Sequence, residues 1–267
     1  MRLSIRHTTH YRYDTAGFQA VQRLRLTPTD NRAQKVLSWT IAAEGMEHAA
    51  EYTDGLGNRV HLITQSRLCD ELTITAEGEV ETTDTGGVLG DIGEHANPML
   101  FLRSTPLTET SPAIHAMADG VAERPGLERL HFLLEEIATR VAYVTYATNA
   151  MTTAEQAFEA GQGVCQDHAH IFIAATRRLG IPSRYVTGYL HVEGEERAVA
   201  NHAWAEAHVP DLGWVGFDPA NHICPTERYV RLACGFDAAW AAPLSGTRRG
   251  GGRETLDVDV VVRQQQQ

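Results

Sequence analysis

No run of apolar residues in the 267-residue chain approaches the roughly 20 positions that a membrane-crossing helix needs, so a helical membrane protein is excluded. Basic residues are too few for a nucleic-acid partner. The chain has 23 Lys and Arg against 34 Asp and Glu, a net charge of −11, and phosphate binding depends on a basic surface. Cysteine is scarce as well: Cys69, Cys165, Cys224 and Cys234 lack the dense spacing of a disulfide scaffold. The opening stretch from Met1 to His7 has no apolar signal core and alternates like a strand, so a cytoplasmic location with reduced thiols is expected. There is no internal repeat. No acidic loop has the Asp-x-Asp-x-Asp-Gly spacing of a calcium site. Residues 246–252 are rich in glycine, yet they lead into a strand pattern with no Walker-type Lys-Ser/Thr, so they read as a connector.

The remaining composition, 43% hydrophobic and 21% charged, suits a globular protein of one large domain or two ordinary ones. Residues 1–82 alternate at period two in short runs, as in Leu3, Ile5, His7, Thr9, Tyr11 and Tyr13. The turn from Asp54 to Asn58 joins two of these runs, and an antiparallel β domain, sandwich or barrel, is expected there. Nothing in it reads as catalytic, His7 and His10 included. Loop chemistry over residues 83–111 marks a linker. Residues 112–263 then read as helices followed by an antiparallel sheet, making the whole chain α+β, with 264–267 a disordered polar tail. Ser111-Pro112 opens one helix, Leu127 to Val141 forms another, and Thr152 with Glu155 forms a capping box for a third.

Two glycines then lead to Cys165. From there Ala169, Phe172, Thr176 and Leu179 recur at helical spacing until Gly180-Ile181-Pro182 stops the helix. A cysteine in the first turn faces unpaired N–H groups and the positive end of the helix dipole, which favour a thiolate; Asp167 works partly against this. Taken alone, this helix favours the plainer reading of Cys165 as a small buried apolar residue.

The strand from Asn201 to Val209 supplies the second component. His202, Trp204, Glu206 and His208 share one face, and Ala203, Ala205, Ala207 and Val209 share the other. With a tight turn over Pro210 to Leu212, residue numbers of paired positions sum to 422. That sets Trp204 opposite Asp218 and His202 diagonal to it on the same face. A cysteine at a helix start, a histidine on a strand and an aspartate on its neighbour are the components of a nucleophilic triad. Gln162, Trp204 and Trp214 are expected to line the substrate cleft, the tryptophans walling it against water.

These residues resemble the transglutaminase-like superfamily of cysteine acyl-transfer enzymes, with its papain-like core, in the bacterial branch that has an N-terminal β domain. The resemblance rests on Gly163-Val164-Cys165-Gln166-Asp167 with His170, on Arg178 to Val186 with Gly188-Tyr189, on His202-Ala203-Trp204 with Glu206, and on Gly213 to Pro219. Tyr11-Arg12-Tyr13, Arg25 to Pro28 and Arg228-Tyr229-Val230 extend it over nearly the whole chain. It implies Cys165 as nucleophile, His202 as base and Asp218 as the group that orients the histidine. Two departures stand out: Gly235 to Trp240 replaces the branch's Gly-Arg-Asp-Tyr motif, and His168 occupies a position where an aromatic is common.

A rival reading pairs Cys165 with His168 as metal ligands, with His170 and His202 in reserve; on a helix, however, His170 points away from the other two. A second rival is a binding module that kept the fold and lost activity. Within enzymes, a thioester on Cys165 can be resolved by water, as in a peptidase or amidase, or by an amine, as in a transglutaminase. Hydrolysis of a peptide or protein amide is the favoured expectation, with no cofactor and no metal.

Overall fold

Period-two alternation dictates the first third of the chain. In the computed structural model, Leu3, Ile5, His7, Thr9, Tyr11 and Tyr13 are all buried along one face of the first strand. The structure describes residues 1–15, 19–65, 71–91, 96–194, 197–198, 201–250 and 252–265. Six strands come first: β1 (Arg2–Tyr13), β2 (Gln19–Thr27), β3 (Gln34–Ala42), β4 (Ala50–Thr53), β5 (Arg59–Gln65) and β6 (Glu71–Thr82). Next come β7 (Val88–Gly90), α1 (Pro112–Asp119), α2 (Gly126–Arg140), β8 (Ala142–Tyr143), α3 (Ala154–Ala160), β9 (Gln162–Gly163) and α4 (Cys165–Arg178). The rest is β10 (Ser183–Leu190), β11 (Arg197–Ala198), β12 (His202–Val209), β13 (Gly213–Phe217), β14 (Tyr229–Gly235), β15 (Leu244–Arg249) and β16 (Glu254–Gln264).

A five-stranded antiparallel sheet, ordered β14-β10-β12-β13-β7, forms the core that carries the site. Its alanine face (Ala203, Ala205, Ala207) packs with Val215 and Phe217 against Ala169 and Phe172 of α4. Small residues on the strand let the helix approach closely. The other three helices surround α4, so it is buried on every side from Asp167 to Thr176. The helix starts follow cap chemistry. Ser111 accepts the Ile114 N–H with Pro112 at the first position. The third helix is capped by Thr153 and Gln156, one residue later than the sequence suggested, because the Thr152 hydroxyl already accepts the Asn149 N–H.

Two further sheets, β11-β16-β1-β6-β3 and β15-β2-β5-β4, form the N-terminal β layer. Their shared core takes in Tyr189, Val230 and Leu232, so the layer packs against the β10–β14 edge of the core sheet. Asn58 joins the two: its amide donates to the Cys234 carbonyl at 2.9 Å and its Oδ1 accepts the Cys234 N–H at 2.8 Å. His7 is a packing residue, held between the Tyr189 hydroxyl and Thr9.

Strand pairing crosses the limits read from the sequence. The expected linker, 83–111, contributes β7, which pairs with β13 inside the core sheet. The last strands of the expected core, 112–263, belong instead to the N-terminal layer: β15 pairs with β2, and β16 pairs with β1 over eleven positions from Leu3↔Gln264 to Tyr13↔Glu254. Alternating Leu256, Val258, Val260 and Val262 announce a strand, but alternation carries no information about its partner.

Candidate active site

The chain before α4 is sewn onto the start of that helix. β8 and β9 pair in parallel, and the Val144 N–H donates to the Gly163 carbonyl at 2.9 Å. Val164 occupies the N-cap position without a side-chain acceptor. Asp167 compensates from inside the first turn: its Oδ2 accepts the Val164 N–H at 2.8 Å and the Thr148 hydroxyl at 2.6 Å. A Cβ on Gly163 would lie 2.7 Å from that of Asp167, so a side chain there would push the capping carboxylate away. The carboxylate that sequence reasoning set against the cysteine is thus a structural tie. Cys165 is the first residue of the helix, partly exposed, its thiol free.

The strand side follows the expected register. Ala205↔Phe217, Glu206↔Gly216, Ala207↔Val215, His208↔Trp214 and Val209↔Gly213 all sum to 422. Gly213 makes this turn possible: its φ is +73°, and a Cβ would stand 2.5 Å from the Gly90 carbonyl carbon. The consequence is direct contact: the His202 Nε2–H donates to Asp218 Oδ2 at 2.6 Å.

Two residues that sequence reasoning missed complete the aspartate's surroundings. Asp218 Oδ2 also accepts the Tyr229 hydroxyl at 2.7 Å and the Asn221 amide at 2.8 Å, while Oδ1 accepts the Ala220 and Asn221 N–H groups. Asn221 lies in the turn after Asp218-Pro219, a local signal that could have been read. Tyr229 arrives from β14; the resemblance takes in Arg228-Tyr229-Val230, but nothing local gives the tyrosine a role at the site.

Electrostatics follow from these contacts. Burial alone would push the His202 ring down, but the hydrogen bond it donates to Asp218, its bond with the Cys165 thiol and both their charges outweigh it, and its pKa rises to about 10. Burial would raise Asp218; bonds from His202, Asn221 and Tyr229 hold it below the usual carboxylate range instead. Tyr143 is raised, first by burial and then by the Cys165 and Asp218 charges, which puts its hydroxyl within the field of the site.

The linkage has a definite sign. A histidine raised above its unfolded value near 6.5 contributes its full stability below that pH and loses it as pH climbs toward about 10. The depressed Asp218 contributes above its own unfolded value near 3.8 and loses that contribution in acid. The stability gap between wild type and Asp218→Asn should therefore be widest from about pH 4 to 6.5 and narrow steadily toward pH 9. Urea midpoints across that range check it; a gap that widens with pH would contradict the ion pair.

The other residues named from sequence are placed as follows. Gln162 is exposed on β9, two positions before Val164 and beside the helix start. Trp204 and Trp214 do not wall the cleft. Both are buried in a cluster with Leu56, Leu89 and Phe101. Trp204 backs the histidine, ring centres 6.2 Å apart, whereas Trp214 lies under the Arg184 guanidinium at 3.8 Å. They share a face with His202, as alternation requires, but Leu56, Leu89 and Phe101 cover that face. Glu206 is also structural, held between Arg184 at 2.6 Å and Arg231 at 2.9 Å, with no solvent exposure.

The metal reading finds its histidines engaged elsewhere. The His168 ring nitrogens face the Val164 and Val141 carbonyls, both at 2.9 Å, and His170 Nε2 accepts the Ala238 N–H. Burial drives His170 down to about 4, so it is a neutral acceptor. Among the described residues no group of three or more His, Cys, Asp or Glu is placed to hold an ion.

Known proteins resemble the chain over both regions. Residues 3–81 match the bacterial transglutaminase-like N-terminal region, and residues 115–219 match the transglutaminase-like superfamily. Uncharacterized protein ML0607 of Mycobacterium leprae is 28% identical over 275 residues, 98% of each chain. A protein-glutamine gamma-glutamyltransferase of Pseudomonas aeruginosa is 32% identical over 168 residues, 59% of this chain but 24% of that protein. The fold is shared with the crystal structure named "a Putative Cysteine Protease from Cytophaga hutchinsonii", at TM-score 0.76 and 22% identity over 100% of this chain and 92% of that one. With both regions matched in chain order around an α4 cysteine and a β12 histidine, the chain belongs to the transglutaminase-like superfamily, in the bacterial branch that carries an N-terminal β region.

Proposed function

We propose that the protein is a thiol-dependent acyl-transfer enzyme acting on amide bonds of peptide or protein substrates, with hydrolysis as its outcome. The observation that carries this reading is the His202–Asp218 bond at 2.6 Å, on a ring that the Cys165 thiol also charges. In the proposed cycle Cys165 transfers its proton to His202, and the thiolate sulfur attacks the amide carbon. Imidazolium returns the proton to the departing amine as the C–N bond breaks, leaving a thioester. His202 then takes a proton from water, whose oxygen adds to the thioester, and the collapsing intermediate releases the acid and the thiol. The Cys165 N–H, in the first turn where no intrahelical carbonyl reaches it, is the candidate donor to the oxyanion.

Hydrolysis is favoured over amine transfer because the nucleophile is open to solvent. Cys165 is partly exposed, so a thioester on it would meet water.

Iodoacetamide at neutral pH should label Cys165 well ahead of Cys224, whose thiol burial pushes up to about 11, and of Cys234, fully buried with its Sγ toward the Leu56 carbonyl. Cys69 lies outside the described residues. Activity is then followed on peptide amides with and without a primary amine: free carboxylate as the main product supports hydrolysis. Amine incorporation as the main product would move the reading to transglutamination, and slow labelling of Cys165 would remove the nucleophile.

A further inference from the structure

Residues 141–153, from Val141 to Thr153, contain no charged side chain in a chain of net charge −11. Within nine residues of this stretch Tyr143, Val144, Tyr146 and Met151 are 53%, 39%, 89% and 75% exposed. Apolar side chains gathered this closely in solvent mark a contact surface more often than scattered ones do. Their placement is fixed by the helix that carries Cys165. Thr148 is bonded to Asp167, the Gln166 amide reaches the Ala150 carbonyl at 3.5 Å, and the Tyr143 ring lies 6.1 Å from that of His168. The loop therefore wraps the first turn of α4, on the side of the sequence that leads into the nucleophile.

A separate observation comes from the backbone. Tyr146 has φ +64°, a left-handed conformation that bulky residues seldom adopt, and it holds an aromatic ring outward with nothing packed on it. Packing within the molecule gives no reason for this, since the ring is almost fully in water. Contact with a bound chain does.

We propose that loop 143–151 is the acyl-donor subsite of the enzyme, and that it selects peptides carrying an uncharged apolar side chain, preferably aromatic, next to the reacting carbonyl. The inference rests on the reading of Cys165 as nucleophile and goes beyond it by naming the substrate class. Continuity with the first turn of α4 identifies the occupant, because a peptide whose carbonyl reaches Cys165 must lay its neighbouring side chain on an adjoining surface. That surface offers aromatic and aliphatic contacts and no ion-pair partner.

Peptidyl chloromethyl ketones test this on the full chain. The thiolate displaces chloride and forms a C–S bond, so inactivation reports delivery to Cys165 without requiring the natural substrate. Iodoacetamide, which has no side chain to place, normalises the rates. A phenylalanyl ketone should react about tenfold or more faster than its aspartyl or lysyl counterpart, the discrimination one apolar side chain supports. The pair Tyr146→Ser and Met151→Ser should bring that ratio close to one. Met99→Ser, exposed near the far end of α4, should leave it unchanged. Equal rates in the wild type, or a preference that survives the double substitution, would overturn the subsite. Failure of iodoacetamide to label Cys165 would overturn the nucleophile itself, and the inference with it.

Discussion

Replacing Asp218 by asparagine should leave the fold intact and lower turnover by about 10³–10⁴-fold, the loss seen when a triad histidine is left in the wrong tautomer. Asp218 Oδ2 receives three donors at once, from His202, Tyr229 and Asn221. A neutral amide turned to accept from the tyrosine and the asparagine still takes the His202 Nε2–H, but it no longer stabilises the imidazolium by charge. Turned the other way, its amide group faces three donors, and the ring must present Nε2 as an acceptor. Either state removes the base from service while volume and packing are preserved. Tyr229→Phe should act in the same direction and more weakly, since it removes one of the three bonds. Steady-state rates with a peptide amide decide the matter: retention of more than a tenth of wild-type turnover in Asp218→Asn would separate the aspartate from the chemistry.

The second large effect concerns stability. Glu206→Gln should cost about 3–5 kcal/mol, because it removes the charge that holds the buried Arg184 and Arg231 guanidiniums at 2.6 and 2.9 Å. For a chain of this size that corresponds to a melting temperature lower by about 10 °C. Burial by itself would raise the Glu206 carboxyl, and the two arginines reverse this, so the group is ionised and the pair is charged in the folded state. The amide retains hydrogen-bonding capacity and shape, which isolates the effect of charge. Differential scanning calorimetry reads the result. A fall of under about 2 °C would mean that the Arg184 stacking on Trp214 holds this layer without help from the carboxylate.

The contrast between these two carboxylates shows what was legible in the sequence. Asp218 could be placed because one turn, Pro210 to Gly213, fixes the register of two short strands, and the fixed period of two carries that register out to His202. Cys165 could be placed because the stop signal at Gly180-Ile181-Pro182 and the spacing before it define both ends of α4. Trp204 and Trp214 were misjudged as cleft walls because alternation sorts residues into two faces without saying what covers each. That was decided by Leu56, Leu89 and Phe101, distant in sequence. The role of Tyr229 and the partners of β15 and β16 were illegible for the same reason: each depends on contacts between segments far apart in the chain.

The pairing of β1 with β16 also dictates an order of events in the life of the chain. β1, Arg2–Tyr13, has one neighbour in β6, but its other edge stays open until residues 254–264 emerge from the ribosome. Through the synthesis of the whole α-helical core, that edge presents unpaired N–H and C=O groups, the pattern that invites a strand from another molecule. Its outward side chains include Arg2, Arg6 and Arg12, which are paired with Glu79, Glu77 and Asp257 in the finished protein. While the last strand is missing, Arg12 has only Glu71 of β6 beside it, at 3.7 Å, so the waiting edge is lined by charged side chains, the kind that discourage a strand from another molecule.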